Sequence, residues 1–370
     1  MQPTLTSGVI LPPDGLHVVE SSGGEESSAT SSISFCSPSP EGKRRRLPPT
    51  VGAQHENSTQ GNADVVNTGV NTSSPTPFTP LVIELCCGSA RISKAMAVQG
   101  FRAVGVDYVL NKSTPEAFCL NIDLTSAEGQ ALAWKWIRHP SVVLIWMAPP
   151  CGTASRAREK PGGPPPLRDD RCPEGFSHLT GRDKLRVDKA NAIYAFCAAV
   201  GDYAMGAGIG FVIENPVRSL MWQTSWFKDL RNKWAMLHVD YHACMHGGKR
   251  KKLQRLLTNW SEFLDLAADC DGTHEHAPWV VFENGQRNFM TAEEAQYPHL
   301  FCDRAAAITA VKIFKELKMP VNPKVCELKA RLASLRRLNA AAAGRQSRIK
   351  SSQLVQEYKT VTSVHCDVDR

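Results

Sequence analysis

The chain has 370 residues, a length that suits one catalytic domain with tails or at most two small domains. Hydrophobic residues make up 42% of it, enough for a core, so disorder throughout is excluded. A formal net charge of +7 favours a polyanionic partner without requiring one, and no apolar run is long enough to span a bilayer, so no membrane partner is expected.

Twelve cysteines show no regular framework, and the opening stretch from Met1 to Gly15 lacks both a basic and an apolar leader region. Reduced, intracellular thiols are therefore expected rather than disulfides. From Met1 to about Thr79 the chain is rich in Ser, Thr, Gly, Pro and Asn and reads as a disordered arm, because it has too little apolar surface to offset its ordering entropy. Within it, Lys43-Arg44-Arg45-Arg46 reads as a nuclear import signal, which would place the protein in the nucleus rather than the cytoplasm, as a loose phosphate contact, or as an idle solvated cluster.

Ordered structure is expected from Pro80. Leu81 to Leu85 reads as a strand, Cys86 to Ala90 as a small-residue turn, and Ile92, Ala95, Met96 and Val98 as one helical face ending near Gly100. Ala103 to Asp107 is a second strand, so the unit is βαβ with parallel pairing. A short strand is predicted over Cys119 to Leu124, a helix over Gly129 to Arg138, and a strongly apolar strand over Val142 to Met147. A Pro/Gly-rich loop follows, then a helix from Val187 to Met205 and strands at Gly210 to Glu214, Met236 to Tyr241 and Leu256 to Thr258. Glu293 to Leu317 reads as mainly helical, and Lys324 to Arg345 as a basic helix ahead of a loose tail. This alternation predicts an α/β fold with a mostly parallel sheet of six or seven strands, a catalytic domain over 80–320 and a short insert near 260–290.

Two motifs carry chemistry. Pro149-Pro150-Cys151 closes the most apolar strand, where proline stiffens the turn and a thiolate would be a strong nucleophile, with Arg156, Arg158 and Lys160 close behind to favour the anion. Glu214-Asn215-Pro216 ends a neighbouring strand on the same sheet edge, where the carboxyl can serve a ring nitrogen; read alone, it is equally a capping Glu ahead of a helix. Asp107 and Asp123, each after a strand, can accept from a ribose diol and an adenine amino group, or simply cap the next helix or turn. Cys244, His246, Cys270, His274 and His276 could supply four ligands to a structural zinc if folded together, but they match no standard zinc spacing and are read as polar loop residues, so no metal is expected.

Together these residues resemble the cytosine-C5 DNA methyltransferases, in a divergent, compact branch; the match runs from Leu81 to Asn259, about half the chain. The resemblance implies a Rossmann-like S-adenosylmethionine-dependent methyltransferase fold and S-adenosyl-L-methionine as cofactor. It implies that Glu84, Leu85, Cys86, Cys87 and Gly88 form the cofactor turn, with Asp107 at the ribose, Asp123 and Leu124 at adenine, and Pro149 alongside. Pro150 and Cys151 then correspond to the catalytic Pro-Cys, Ser155 to a catalytic-loop serine, and Glu214 and Asn215 to the Glu-Asn pair. Arg250, Lys252 and Arg255 compete for the family's late arginine position, with Arg250 preferred.

Departures are Pro216 where the family has Val, Cys86 in place of an aromatic, no late Gly-Asn-Ser element, and an insert too short for the usual target-recognition domain. The resemblance implies addition of Cys151 to C6 of a flipped-out cytosine, Glu214 at N3, and methylation at C5. The expected partner is nucleic acid, DNA favoured and RNA possible, with phosphate contacts from Lys249 to Lys252 and from Arg156, Arg158, Arg168 and Arg171 in a loop able to close. RNA methylation, or nucleic-acid binding without catalysis, are the other readings.

Overall fold

A computed structural model describes residues 78–283, 286–291 and 293–319. The basic run Lys43 to Arg46 and the predicted helix Lys324 to Arg345 lie outside the described residues.

Seven strands form one sheet: β1 (Leu81–Leu85), β2 (Arg102–Asp107), β3 (Cys119–Asn121), β4 (Val142–Met147), β5 (Gly210–Pro216), β6 (Leu237–His242) and β7 (Leu253–Thr258), in the order β3-β2-β1-β4-β5-β7-β6. Strands β1 to β5 pair in parallel, whereas β7 runs antiparallel to both β5 and β6. That order, with one reversed strand near the edge, is the Rossmann-like S-adenosylmethionine-dependent methyltransferase fold expected from the sequence. All five residues of β1 are buried, which explains why every one but Glu84 is apolar: a central parallel strand is covered on both faces.

Helices α1 (Arg91–Val98) and α5 (His299–Glu316) cover one face, where Ile92 and Met96 join Val82, Trp146, Phe301 and Ile308 in one core. Helices α2 (Ala127–Ile137), α3 (Gly181–Ala207) and α4 (Ser225–Lys233) cover the other. Trp134 of α2 meets Phe196 of α3 edge-on at 5.6 Å, and the Trp234 indole donates to Asp202 of α3 at 2.6 Å. α3 stops at Gly208, whose φ of 69° is a left-handed conformation open to glycine at little cost.

The elements differ from expectation in several places, among them a β7 that begins three residues early at Leu253. β3 ends at Asn121 because Asp123 turns the chain, its Oδ1 accepting from the Thr125 amide and hydroxyl at 2.9 and 2.7 Å. α3 begins at Gly181, six residues early, since its first turns face solvent and carry no apolar period. α5 starts only at His299, after a single 3-10 turn at Glu293–Ala295. α4 and a two-stranded hairpin, β8 (Val280–Glu283) with β9 (Gln286–Phe289), were not anticipated; the hairpin occupies the insert.

Candidate active site

The turn after β1 is unusual in its backbone. Cys86, Gly88 and Ala90 all have positive φ, near 55°, and for the two non-glycine residues this is a strained conformation of the kind that gathers at functional sites. Asp107, at the end of β2, folds the turn from beside it: one carboxylate oxygen accepts from the Gly88 amide at 2.7 Å and the other from the Tyr108 amide at 2.8 Å. Burial raises the Asp107 carboxyl, and those two amides work against the rise. Glu84 is fully buried, with Oε2 accepting from the Ser93 amide at 2.7 Å and hydroxyl at 2.6 Å while Oε1 has no hydrogen-bond partner among the described residues. Burial pushes its carboxyl up to about 7.

A cavity of about 470 Å³ opens where the strand order reverses between β1 and β4, the crevice in which doubly wound folds bind ligands. Cys86, Asp107, Asp123 and Leu124 line one side, and Pro150 and Thr153 line the other. Of the residues expected at the cofactor, Glu84, Leu85, Cys87, Gly88 and Pro149 lie outside this lining. Glu84 ties the start of α1, Leu85 accepts from the Ala148 amide at 3.1 Å, Gly88 holds Asp107, and the Cys87 sulfur sits 3.3 Å from that of Cys119.

Across the same edge, β4 and β5 run side by side with Met147 opposite Ile213, so Pro149-Pro150-Cys151 and Glu214-Asn215 emerge together. The Asn215 amide donates to the Pro149 carbonyl at 2.7 Å, and the Tyr194 hydroxyl donates to the Pro150 carbonyl at 2.6 Å, so two bonds fix the approach to the half-buried Cys151. Glu214 is buried; one carboxylate oxygen accepts from the Gln254 amide and the other from the Tyr297 hydroxyl at 3.1 Å. Asn215 Oδ1 and Gln254 Oε1 are buried acceptors without a partner among the described residues.

Burial raises the Cys151 thiol; the Lys252 ammonium opposes this and the Glu214 carboxylate adds to it. Glu214 is raised for the same reason, with Lys252 and Tyr297 opposing. The cation acting on the thiol is thus Lys252 rather than Arg156, Arg158 or Lys160. Arg250, expected at the late arginine position, donates to the Pro278 carbonyl at 2.8 Å and to Glu293 and Glu294 at 2.9 and 3.0 Å. Arg255 is held by both oxygens of Asp240 at 2.7 Å. Lys252 donates to the Glu294 carbonyl at 2.8 Å.

The loop after Cys151 also differs from an arm of free cations. Arg168 is buried, donating to the Thr153 hydroxyl, the Asn191 side chain and the Pro173 and Val187 carbonyls. Arg158 is buried against the Pro165 and Gly152 carbonyls, and Arg156 pairs with Glu159 and Asp170. Ser155 caps the 3-10 turn Arg156–Glu159 by accepting from the Ala157 amide. Only Arg171 of the four arginines is exposed.

Sequence reasoning missed Gln254, Tyr297 and Tyr194, which arrive from β7, from the turn just ahead of α5 and from α3. Tyr297 is anchored in turn: its hydroxyl accepts from the Trp146 indole at 3.1 Å, and Arg91 donates to its carbonyl at 2.7 Å.

No family model matches the chain, and no curated protein matches it. Among solved structures it is similar to a DNMT2 mutant of Spodoptera frugiperda, at 16% identity over 49% of each chain, with a TM-score of 0.28. It is also similar to the Entamoeba histolytica methyltransferase EhMeth, at 10% identity over 49% of this chain and 52% of that one, again with a TM-score of 0.28. The chain spans about half the length of both. The fold assignment stands on strand order and on the direction of β7, independently of these likenesses.

Proposed function

We propose that this chain transfers a methyl group from S-adenosyl-L-methionine to C5 of cytosine in DNA. The observation that carries the reading is a shared wall: Pro150 and Thr153, which flank Cys151, line the crevice that Asp107 and Asp123 also line. A methyl donor in the crevice and a base held at Cys151 would therefore meet at one edge.

The residues present fit the cofactor. Asp107 and Asp123 offer acceptors suited to a ribose diol and an amino group, and Ile122, Leu124 and Ile193 supply apolar walls for a purine. When bound, S-adenosylmethionine supplies an electrophilic methyl group.

The chain's own groups do the rest. The Cys151 sulfur bonds to C6 of the base, pushing the ring electrons towards C5 while Glu214 holds a proton at N3. Its buried carboxyl is raised, which suits it to donate. The bound donor would supply the methyl group that C5 takes up; loss of the C5 proton to water then returns electrons to the ring and expels the Cys151 sulfur, while Glu214 takes back the proton at N3. The unpartnered Asn215 and Gln254 oxygens provide acceptors for an exocyclic amino group. A base paired in a duplex must leave the stack to reach this edge.

Labelled methyl transfer to cytosine-containing DNA tests the reading, with tRNA as the competing acceptor. Wild type should label DNA and form a covalent complex with 5-fluorocytosine DNA, and Cys151→Ala should do neither while remaining folded. Label on tRNA alone would move the substrate to RNA; label retained by Cys151→Ala would reject the mechanism.

A further inference from the structure

Away from the crevice, four side chains converge that the reaction does not use. Cys244 lies in the 3-10 turn Ala243–His246 after β6, while Cys270, His274 and His276 come from the insert after β7. One ligand atom from each lies within 4.8 Å of all the others. The Cys270 sulfur is 3.4 Å from His276 Nε2 and 4.0 Å from His274 Nε2. Ligand atoms around a tetrahedral zinc ion, at bond lengths of about 2.0–2.3 Å, stand roughly 3.3–3.8 Å apart, so this spacing is close to that of a formed site.

We infer that Cys244, Cys270, His274 and His276 hold a structural zinc ion. The donor chemistry selects the metal: two thiolates and two imidazoles in a compact group suit tetrahedral zinc over the oxygen-seeking cations. Four protein ligands leave no open position, so the ion stabilises rather than catalyses. The surroundings are also those of a metal site. His274 Nδ1 stands 3.6 Å from an Asp271 oxygen, the outer carboxylate that orients a ligating imidazole, and that oxygen is itself fixed by the Thr273 amide at 3.0 Å. The Cys270 amide donates to His242 Nδ1 at 3.1 Å, which sets the backbone of one ligand.

His246, two residues from Cys244, is not part of the group. Its ring nitrogens meet the Leu266 carbonyl at 2.9 Å and Arg304 at 3.0 Å. The fold brings these ligands together from both sides of β7, and metal content separates a zinc site from the polar-loop reading.

The ion would fasten the insert to the loop that carries Lys252. Directly after His276, the Ala277 amide donates to the Lys249 carbonyl at 2.9 Å and the Pro278 carbonyl receives Arg250. The zinc inference needs only the four ligands; its link to Lys252 rests on the proposed methyltransferase reading.

Metal content decides it. The full chain, purified with reductant and freed of loose metal, should carry one zinc per chain by mass spectrometry. Cys270→Ser and His276→Ala should each lower zinc affinity at least tenfold against a chelating dye, while Cys172→Ser, an exposed cysteine elsewhere, should not. Should the ligand variants fail to fold, cobalt added to metal-stripped wild type should give tetrahedral thiolate spectra and protect only Cys244 and Cys270 from alkylation. Wild type without stoichiometric metal and without that cobalt spectrum, a Cys244–Cys270 disulfide, or zinc retained by both ligand variants would overturn the inference. Because the readout is metal and not methyl transfer, failure here leaves the enzymatic reading standing, and the reverse also holds.

Discussion

The Tyr297 hydroxyl, 83 residues beyond Glu214 in the chain, donates to a Glu214 carboxylate oxygen at 3.1 Å while accepting from the Trp146 indole. The acid on β5 is thus held from the opposite end of the domain, by a residue that α5 and Arg91 keep in place. Tyr297→Phe removes the donor and leaves both the carboxyl and the indole short of a partner. A hydrogen bond to a charged, buried group contributes about 1.5–3 kcal/mol, and a loss of that order should appear in urea unfolding. Since Tyr297 also lowers the raised Glu214 carboxyl, its removal should push the limb of the activity profile that reports Glu214 to higher pH.

Glu84 should dominate one part of the stability profile. Its folded carboxyl titrates near 7 against an ordinary 4.5. A group raised on folding binds its proton more tightly in the native state. Its contribution is therefore complete below the unfolded value and is lost as pH rises through the folded one. Wild type should lose roughly 3 kcal/mol between about pH 4.5 and 7 through this group. Glu84→Gln should flatten that interval; an unchanged slope in denaturant titrations would remove Glu84 as its source.

These two residues show where the sequence was legible. Glu84, Asp107 and Glu214 sit in the last three residues of a strand and Cys151 in the turn after one, so local pattern and turn chemistry reach them without knowledge of tertiary structure. Tyr297, Gln254 and Lys252 act on the same acid and thiol but arrive from the reversed strand β7, its lead-in loop and the entry to α5, where no local period marks the partner. Cys244 and Cys270 belong to this second group, brought close only by the β6–β7 return. The hairpin β8–β9 did have a signal, since Asn284-Gly285 separates its two strands in sequence, a dipeptide that favours two-residue hairpin turns. Arg168 was misread for the opposite reason: a cation in a Pro-rich loop looks like a phosphate contact until its four partners are in view.

Lys252 should set the reactivity of the Cys151 thiol. It is the cation that lowers a thiol otherwise raised by burial and by Glu214. Lys252→Gln should shift the pH dependence of Cys151 alkylation upward by about one unit, the scale on which a nearby opposite charge acts. Methyl transfer near neutral pH should fall about tenfold with it, as the thiolate fraction does. Alkylation rates across pH, read by peptide mapping at Cys151, check this; an unmoved profile would leave Lys252 outside the site's electrostatics.

The cations that meet nucleic acid should be the exposed ones. Lys249 and Lys251 are exposed, whereas Arg156 is committed to Glu159 and Asp170. Replacing Lys249 and Lys251 by Ala should reduce the slope of log affinity against log salt by about 1 to 2, as expected for one or two lost phosphate contacts. Arg156→Gln should leave it unchanged. Binding isotherms on one duplex at several salt concentrations separate the two.

Arg168 provides the test of how the thiol is held. Its guanidinium joins Thr153, two residues past Cys151, to Asn191 and Val187 of α3 and to Pro173, and it lies over the Tyr194 ring at 5.3 Å. Tyr194 in turn donates to the Pro150 carbonyl, so the residues on both sides of Cys151 are fixed through this one cation. Lysine keeps the charge but replaces a planar fork by a single point donor, and cannot reach four acceptors in different directions. Arg168→Lys should therefore lose about 2–4 kcal/mol of stability, since breaking a buried polar network strands its acceptors. The loop between Gly152 and Arg182 should become the first site of limited proteolysis. Methyl transfer should drop more steeply than cofactor binding, because Asp107 and Asp123 stand on β2 and beyond β3, outside the Arg168 network. Equal loss of both would mean that the crevice and the nucleophile collapse together, and that Arg168 supports the whole edge rather than the thiol's position.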